Sequence, residues 1–400
     1  MEEKKLNILI VHNYYRFPGG EGTVVENEKS MLEDNGHKVF LYTRNNNEIN
    51  NYSIIGKILL PFNYLFNIKT YFEIIDIIKK NKIDIVHVHN TVNIISKSVY
   101  YASKKCNTPI LQTMHNFRFI CSNGLLYKNG GICEKCLKCN ILCAIKDKCY
   151  RNSLLETILS VINIKQLRKS NILNSMYFIC FSEFNKNKLI SINNICKKEV
   201  IDVNKIYIKE NSTNSFVESI KLSNDRSNDF IYASRLDEGK GIKDLLLAWK
   251  NINTGRLIIC GDGPEKEWCI DFVNRNDINN VIFLDNIEHD KLLKILSKSA
   301  CLVYPTRYHE TFGLSIVEAF SVGTPVIVAD SGNAGELVKD NITGYKYKYG
   351  CIDDLKEKIS NFSKKDNVSK NCYKEYKNRY TNSINYQKLM DIYYDVISKK

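Results

Sequence analysis

No stretch of the 400 residues is both long and apolar enough to cross a bilayer. The most hydrophobic runs, residues 54–60 and 177–181, are short or interrupted, whereas a spanning helix needs about 20 apolar residues. No secretory leader is visible either, since residues 1–5 carry two acids and two lysines and lead straight into a strand-like run at 6–11; a leader would begin basic and continue apolar. The expectation is a cytoplasmic protein whose 14 cysteines are reduced thiols or metal ligands, not disulfides. The chain has no recognised nucleic-acid module and no compact arginine-rich cluster, which removes nucleic acid from the expected partners. It has no short-period repeat, and neither a Ser-His-Asp order nor a carboxylate that reads as a covalent nucleophile.

What is present is a globular composition, 44% hydrophobic and 25% charged, enough to build two or so cored domains at this length. Apolar runs at 6–11, 38–42, 85–89, 110–113, 177–181 and 200–201 read as strands, several with helical segments between them. A second round follows at 229–233, 256–260, 281–284, 300–305 and 325–329, with helices at 240–251, 289–298 and 312–322. Such alternation gives an α/β fold of two doubly wound sheets. Residues 211–228, rich in Ser and Asn, read as the linker. In the tail, Tyr373, Tyr376, Tyr380, Tyr386, Leu389, Ile392, Tyr393 and Val396 recur at largely helical spacing, as one or two docking helices would have them. The net charge of +13 is lopsided: residues 1–200 hold 28 Lys and Arg against 16 acids, residues 201–400 hold 29 against 28. A basic first half suits an anionic partner, a membrane surface or a lipid-linked phosphate; residues 52–71, with Lys57, Phe62, Tyr64, Phe66 and Lys69, set apolar surface beside that charge. A helix packed on the sheet would explain the same residues.

The most informative segment is R-Y-H-E-T-F-G-L-S-I-V-E-A-F-S-V-G at 307–323. Glu310 falls in the turn beyond a strand's carboxyl end, and Glu318 about two turns into the following helix. The helix start offers unpaired amides and a positive dipole end to a phosphate, and two carboxylates there can hold sugar hydroxyls on either side of it. A surface turn before a charged helix would explain the segment as well. Other pieces stand in order along the chain: Gly19-Gly20 after the first strand, T-M-H-N-F-R around His115, Ser182 after a strand, A-S-R-L-D-E-G-K-G at 233–241 and G-D-G-P at 261–264.

Taken together, these pieces resemble the retaining glycosyltransferases of family 4. The resemblance implies a GT-B-type fold, two Rossmann-like domains facing a central cleft. On that pattern residues 1–210 form the acceptor-side domain with a Cys-rich insertion at about 121–149. Residues 229–380 bind the nucleotide-sugar, and 381–400 form a last helix packing back on the first domain. It implies transfer of a sugar from a nucleotide-sugar donor to a glycan or lipid-linked acceptor, with Glu310, Arg235, Lys240 and His115 as catalytic residues. Gly19, Gly20, Gly261, Phe312, Gly313, Leu314 and Glu318 are then donor-binding. Arg235 and Lys240 would neutralise the departing diphosphate in place of a divalent metal, so no catalytic cofactor is expected. Glu310 and Lys240 are expected at exposed strand ends, outside the core. A GT-B-type nucleotide-sugar epimerase and a non-catalytic sugar-binding scaffold remain as alternatives.

His87 and His89 sit two apart on one strand face; the first reads as structural, the second as facing the site or as a satisfied buried imidazole. Six cysteines, Cys121, Cys133, Cys136, Cys139, Cys143 and Cys149, crowd the insertion. The run Cys133-x2-Cys136-x2-Cys139-x3-Cys143 has iron-sulfur spacing, but Ala144 stands where that run has proline. Because sequences resembling this subgroup of the family have cysteines flanking the segment in this way, the resemblance makes a structural zinc on Cys121, Cys133, Cys136 and Cys149 the better metal candidate, and unliganded thiols are the other reading.

Overall fold

The computed structural model describes residues 4–16, 19–138, 140–213, 225–364 and 366–399. They form two compact units, Met1–Leu125 with Glu134–Glu210 and Asn385–Lys400, and Leu126–Cys133 with Asn211–Ile384.

In the first unit, strands β1 (Asn7–Tyr14), β2 (Lys38–Asn45), β3 (Ile85–Asn90) and β4 (Ile110–Thr113) are followed by the short strands β5 (Tyr127–Lys128) and β6 (Gly131–Ile132) of the second unit. The first unit then resumes with β7 (Tyr177–Cys180) and β8 (Ile206–Ile208). Its sheet has the order β2-β1-β3-β4-β7-β8, every pair parallel. Ile8, Leu9, Ile10 and Val11 are all fully buried, the unbroken apolar run expected of a strand covered on both faces. The last helix, Asn382–Ser398, lays Leu389, Met390, Tyr393 and Val396 on the Leu6, Ile8 and Ile10 core.

The second unit carries β9 (Phe230–Ala233), β10 (Leu257–Cys260), β11 (Val281–Leu284), β12 (Cys301–Tyr304), β13 (Val326–Ala329) and β14 (Gly344–Tyr347). Their order is β11-β10-β9-β12-β13-β14, again all parallel. The chain winds outward from β9 in one direction and from β12 in the other. The carboxyl ends of these two strands therefore make the topological switch point, where open α/β sheets bind ligands.

Several expectations need correction. No strand forms at 200–201, because the amides of Val200 and Ile201 both donate to Asn193 Oδ1; the ladder is made at Ile206–Ile208 instead. The helix expected from 312 begins at Leu314, after Gly313 takes a φ of +102°, so Glu318 lies in its second turn. The 240–251 helix is a 3-10 turn, Glu238–Lys240, then Ile242–Trp249. Residues 126–133, expected within the first domain's insertion, form the β5–β6 hairpin of the second unit, with the Tyr127 ring 6.0 Å from that of Tyr308. The return to the first unit comes at Asn385 rather than 381. Of the expected linker, 214–224 lies outside the described residues, and Asn211–Thr213 is already buried in the second unit.

Candidate functional site

At the switch point of the second sheet the loops after β9 and β12 interlock. Gly241 has φ +71°, and a Cβ there would sit 1.8 Å from the Pro305 carbonyl oxygen; only glycine permits that approach. Arg307 N donates to Gly239 O at 2.8 Å, and the Arg307 guanidinium is anchored on Asp244 at 2.8 Å. The G-K-G of the sequence thus clamps one loop on the other and fixes Lys240 between them. Its Nζ meets Glu310 Oε1 at 2.5 Å and lies 5.0 Å from the Tyr308 ring and 5.8 Å from that of Tyr304. Thr306 Oγ1 donates to the same carboxylate at 3.3 Å. Burial opposes the ammonium, but Glu310 and the two tyrosines outweigh it and hold its pKa well above the ordinary lysine value. Glu310 is 8% exposed and the Lys240 side chain 18%. The expectation of exposed strand ends is therefore corrected: this is a largely desolvated ion pair.

The other donor-side residues lie around the same strand ends in different states. Arg235 is exposed and turned onto Asp237 at 2.6 Å, with no contact to Glu310 among the described residues. Glu318 receives His289 Nε2 at 2.9 Å, and that hydrogen bond raises the His289 pKa. Sequence reasoning missed His289, whose only signal was its place at a helix start. Ser315 Oγ donates to Ala233 O at 3.1 Å, pinning the first turn of helix Leu314–Ser321 to the end of β9. Gly313 and Leu314 thereby stand beside the Lys240–Glu310 loops. The Phe312 ring is buried 6.3 Å from Tyr380, so only its backbone can meet a ligand. Gly261 has a reason of its own: a Cβ there would lie 2.1 Å from Ser234 O, a packing demand that needs no ligand.

In the first unit, Gly19 caps helix Gly20–Asp34 without any side-chain hydrogen bond, and a Cβ on Gly19 would meet nothing within 4 Å. The chain itself does not demand glycine there. His115, at the end of β4, places Nε2 2.9 Å from His89 Nδ1 and packs on Phe181 at 5.4 Å. His87 is satisfied on both nitrogens, by the Tyr393 hydroxyl and Thr113 Oγ1, each at 2.7 Å. It is structural, as expected. His89 is buried as well and joins His115 to the interior. A further perturbed group is Glu21, which accepts from Asn116 Nδ2 at 2.9 Å. Burial drives its pKa up to about 7, against the pull of Arg118, Asn116 and Tyr15. Nothing in the local pattern of residues singled it out.

The zinc set fits only in part. Cys136 is buried with its Sγ 3.7 Å from Cys143 Sγ, about the sulfur–sulfur edge of a tetrahedral thiolate site with 2.3 Å bonds. Burial, and then Cys121, Cys143 and Cys149 nearby, push the Cys136 thiol pKa up. Cys133 belongs instead to the second unit's hairpin segment. Among the described residues no three cysteine sulfurs come within 4.8 Å of one another. Cys139, needed for the iron-sulfur run, lies outside the described residues.

Two family descriptions tile most of the chain, Glycosyltransferase Family 4 over residues 18–201 and Glycosyl transferases group 1 over residues 213–379. The chain belongs to the GT-B glycosyltransferases of group 1 and family 4. It is 31% identical to glycogen synthase of Mycobacterium tuberculosis over 121 residues, 29% of this chain and 29% of that one. The matched segment thus spans under a third of that relative's length. It is 20% identical to the alpha-monoglucosyldiacylglycerol synthase of Streptococcus pneumoniae over 357 residues, 86% of this chain and 75% of that one. In fold it is similar to Anabaena HepE in complex with UDP, with a TM-score of 0.63 at 16% identity over 96% of this chain and 99% of that one.

Proposed function

We propose that this protein is a retaining glycosyltransferase that takes a sugar from a nucleotide-sugar donor and adds it to a lipid-linked or glycan acceptor in cell-surface polysaccharide synthesis. The observation that carries the reading is the Lys240–Glu310 pair at the switch point of a parallel sheet. Breaking the anomeric bond builds negative charge on the diphosphate and positive charge on the sugar ring, and a preorganised site opposes both. Lys240 faces the first, and Arg235 joins it by leaving Asp237. Glu310 aims the ammonium and offers its second oxygen to sugar hydroxyls, while the paired Glu318 is available to a ribose. The leaving phosphate assists deprotonation of the acceptor on the same face, so positioning and electrostatics replace a covalent nucleophile. An acceptor assay distinguishes transfer from the epimerase and scaffold alternatives. Glycoside formation with inverted anomeric configuration would reject the retaining mechanism.

The lipid-linked acceptor draws support from helix Ile54–Leu65, which has no buried residue. Ile54 is 80% exposed and Phe62 67%, and Ile55, Ile58, Ile68 and Phe72 continue the patch beside the exposed Lys57 and Lys69. The alternative, a helix packed on the sheet, would have buried this face. No helix among the described residues can cross a membrane, and apolar side chains edged by lysine suit shallow, salt-sensitive seating on the anionic inner leaflet from the cytoplasmic side. Co-sedimentation with anionic and neutral vesicles over a salt series tests this. Binding to the anionic vesicles that fades with salt is expected; recovery in the supernatant with both lipids at low salt would favour a soluble acceptor.

A further inference from the structure

His289 and Glu318 belong to two helices, His289–Lys298 and Leu314–Ser321, whose carboxyl ends are joined without them. Thr324, in the turn after the second helix, donates through Oγ1 to Leu296 O at 2.7 Å, and the Arg226 guanidinium donates to Ser299 O at 3.1 Å and to Thr324 Oγ1 at 2.7 Å. Leu293 and Leu296 of the first helix are fully buried. At the other end His289 Nε2 lies 2.9 Å from Glu318 Oε1, with the histidine side chain 34% exposed and the glutamate 13%. A hydrogen bond this near water adds little to helices already held by their core and their far ends.

What the bond does change is the glutamate. A glutamate side chain turns about three bonds and loses that freedom when it grips a ligand; one that is already held has less to lose. Among the described residues Glu318 Oε2 makes no hydrogen bond. The hold on Oε1 thus leaves one oxygen, with two lone pairs, in a fixed place. His289 follows β11 and Glu318 follows β12, both on the carboxyl side of the sheet, the side on which open α/β sheets bind nucleotides and set an acid against the ribose.

We propose that His289 is a positioning residue for the donor nucleotide: it holds Glu318 Oε1 so that Oε2 is presented, already oriented, to the ribose hydroxyls. The role rests on the reading of Glu318 as the ribose-binding residue. Because the contact is made equally before and during sugar transfer, His289 acts on donor affinity and not on the chemical step.

The test is calorimetric titration of the full chain with UDP, GDP and ADP, and with the 2′,3′-dideoxy form of whichever binds most tightly, alongside steady-state donor turnover. His289→Ala should weaken binding of the ribonucleotide roughly tenfold, about the worth of one hydrogen bond, and raise the donor KM by a similar factor with kcat and Tm unchanged. It should bind the dideoxy form as the wild type does. His289→Gln, whose amide can donate to Oε1 from a neutral side chain, should restore ribonucleotide binding. Equal losses for the ribo and dideoxy forms would overturn the positioning role, and so would a fall in kcat with KM unchanged. Glu318→Ala separates the two claims. If it keeps the wild-type preference for the ribo form, the ribose reading falls; if it loses that preference while His289→Ala binds as the wild type does, only the part given to His289 falls.

Discussion

Removing one partner of the Lys240–Glu310 pair should do two separable things. Unit charges about 4 Å apart interact by about 4 kcal/mol at an effective dielectric of about 20. Breaking a desolvated pair on one side strands the other charge at about 3–5 kcal/mol. Glu310→Gln leaves the ammonium beside Tyr304 and Tyr308, whose rings return about 1 kcal/mol, so its cost should be near 3 kcal/mol. Lys240→Met leaves the buried Glu310 with only neutral donors among the described residues, the Thr306 and Tyr304 hydroxyls, and should cost at least as much. The double variant removes both charges and should fall within about 1 kcal/mol of wild type, because a buried pair contributes little over an apolar replacement. Activity should follow a different pattern, with all three variants losing at least about a hundredfold in kcat, the scale of one preorganised electrostatic partner. Urea unfolding gives the stability cycle and release of nucleoside diphosphate gives the rate. Single variants as stable as wild type, a double variant as unstable as the two singles combined, or transfer within a few fold in either single would refute the reasoning.

Glu21→Gln should leave stability unchanged near pH 4 and raise it at pH 8 by about 3 kcal/mol. A carboxyl lifted from 4.5 to about 7 favours the folded state fully only below its unfolded pKa, and that contribution is lost as pH rises through 7; a pH-independent effect would count against the buried carboxyl. For the cysteines, if zinc is bound, Cys136→Ser or Cys143→Ser should lower Tm and zinc content together, and Cys133→Ser should change neither; metal-free protein of unchanged Tm would leave the thiols unliganded. Ile58→Asp with Phe62→Asp should abolish vesicle binding without lowering Tm, since both side chains are exposed; loss of Tm would show that these two side chains hold the helix in place. Transfer should survive a chelator, since Lys240 and Arg235 supply the positive charge at the phosphate, and loss of turnover restored by a divalent ion would contradict that.

Much of the architecture was legible because parallel strands buried on both faces read as apolar runs, as at 6–11, 85–89 and 300–305. The strand Gly344–Tyr347 was not, since at the sheet edge G-Y-K-Y is half exposed and lacks such a run. The run at 200–201 misled because burial alone does not make a ladder when a side chain takes the amides. Order along the chain marked Lys240 and Glu310. Their desolvation was not readable, because it depends on Gly241 closing against Pro305 across 64 positions. Glu21 and the buried ion pair of Glu28 with Lys209 carry no local pattern at all. An acid on an amphipathic helix reads as solvated, and only the folded sheet brings Lys209 to Glu28.

The central claim, that the β9–β12 switch point holds a nucleotide-sugar through Lys240 and Glu310, is tested most directly by a panel of UDP-, GDP- and ADP-sugars. Nucleoside diphosphate release should be measured for the wild type and for Lys240→Met carrying Glu310→Gln, the variant expected to stay folded. The account predicts release from at least one donor, with formation of a glycoside when acceptor is added, and at least about a hundredfold slower release by the folded double variant. Equal release by both proteins, or no binding of any nucleotide-sugar by the wild type, would contradict it.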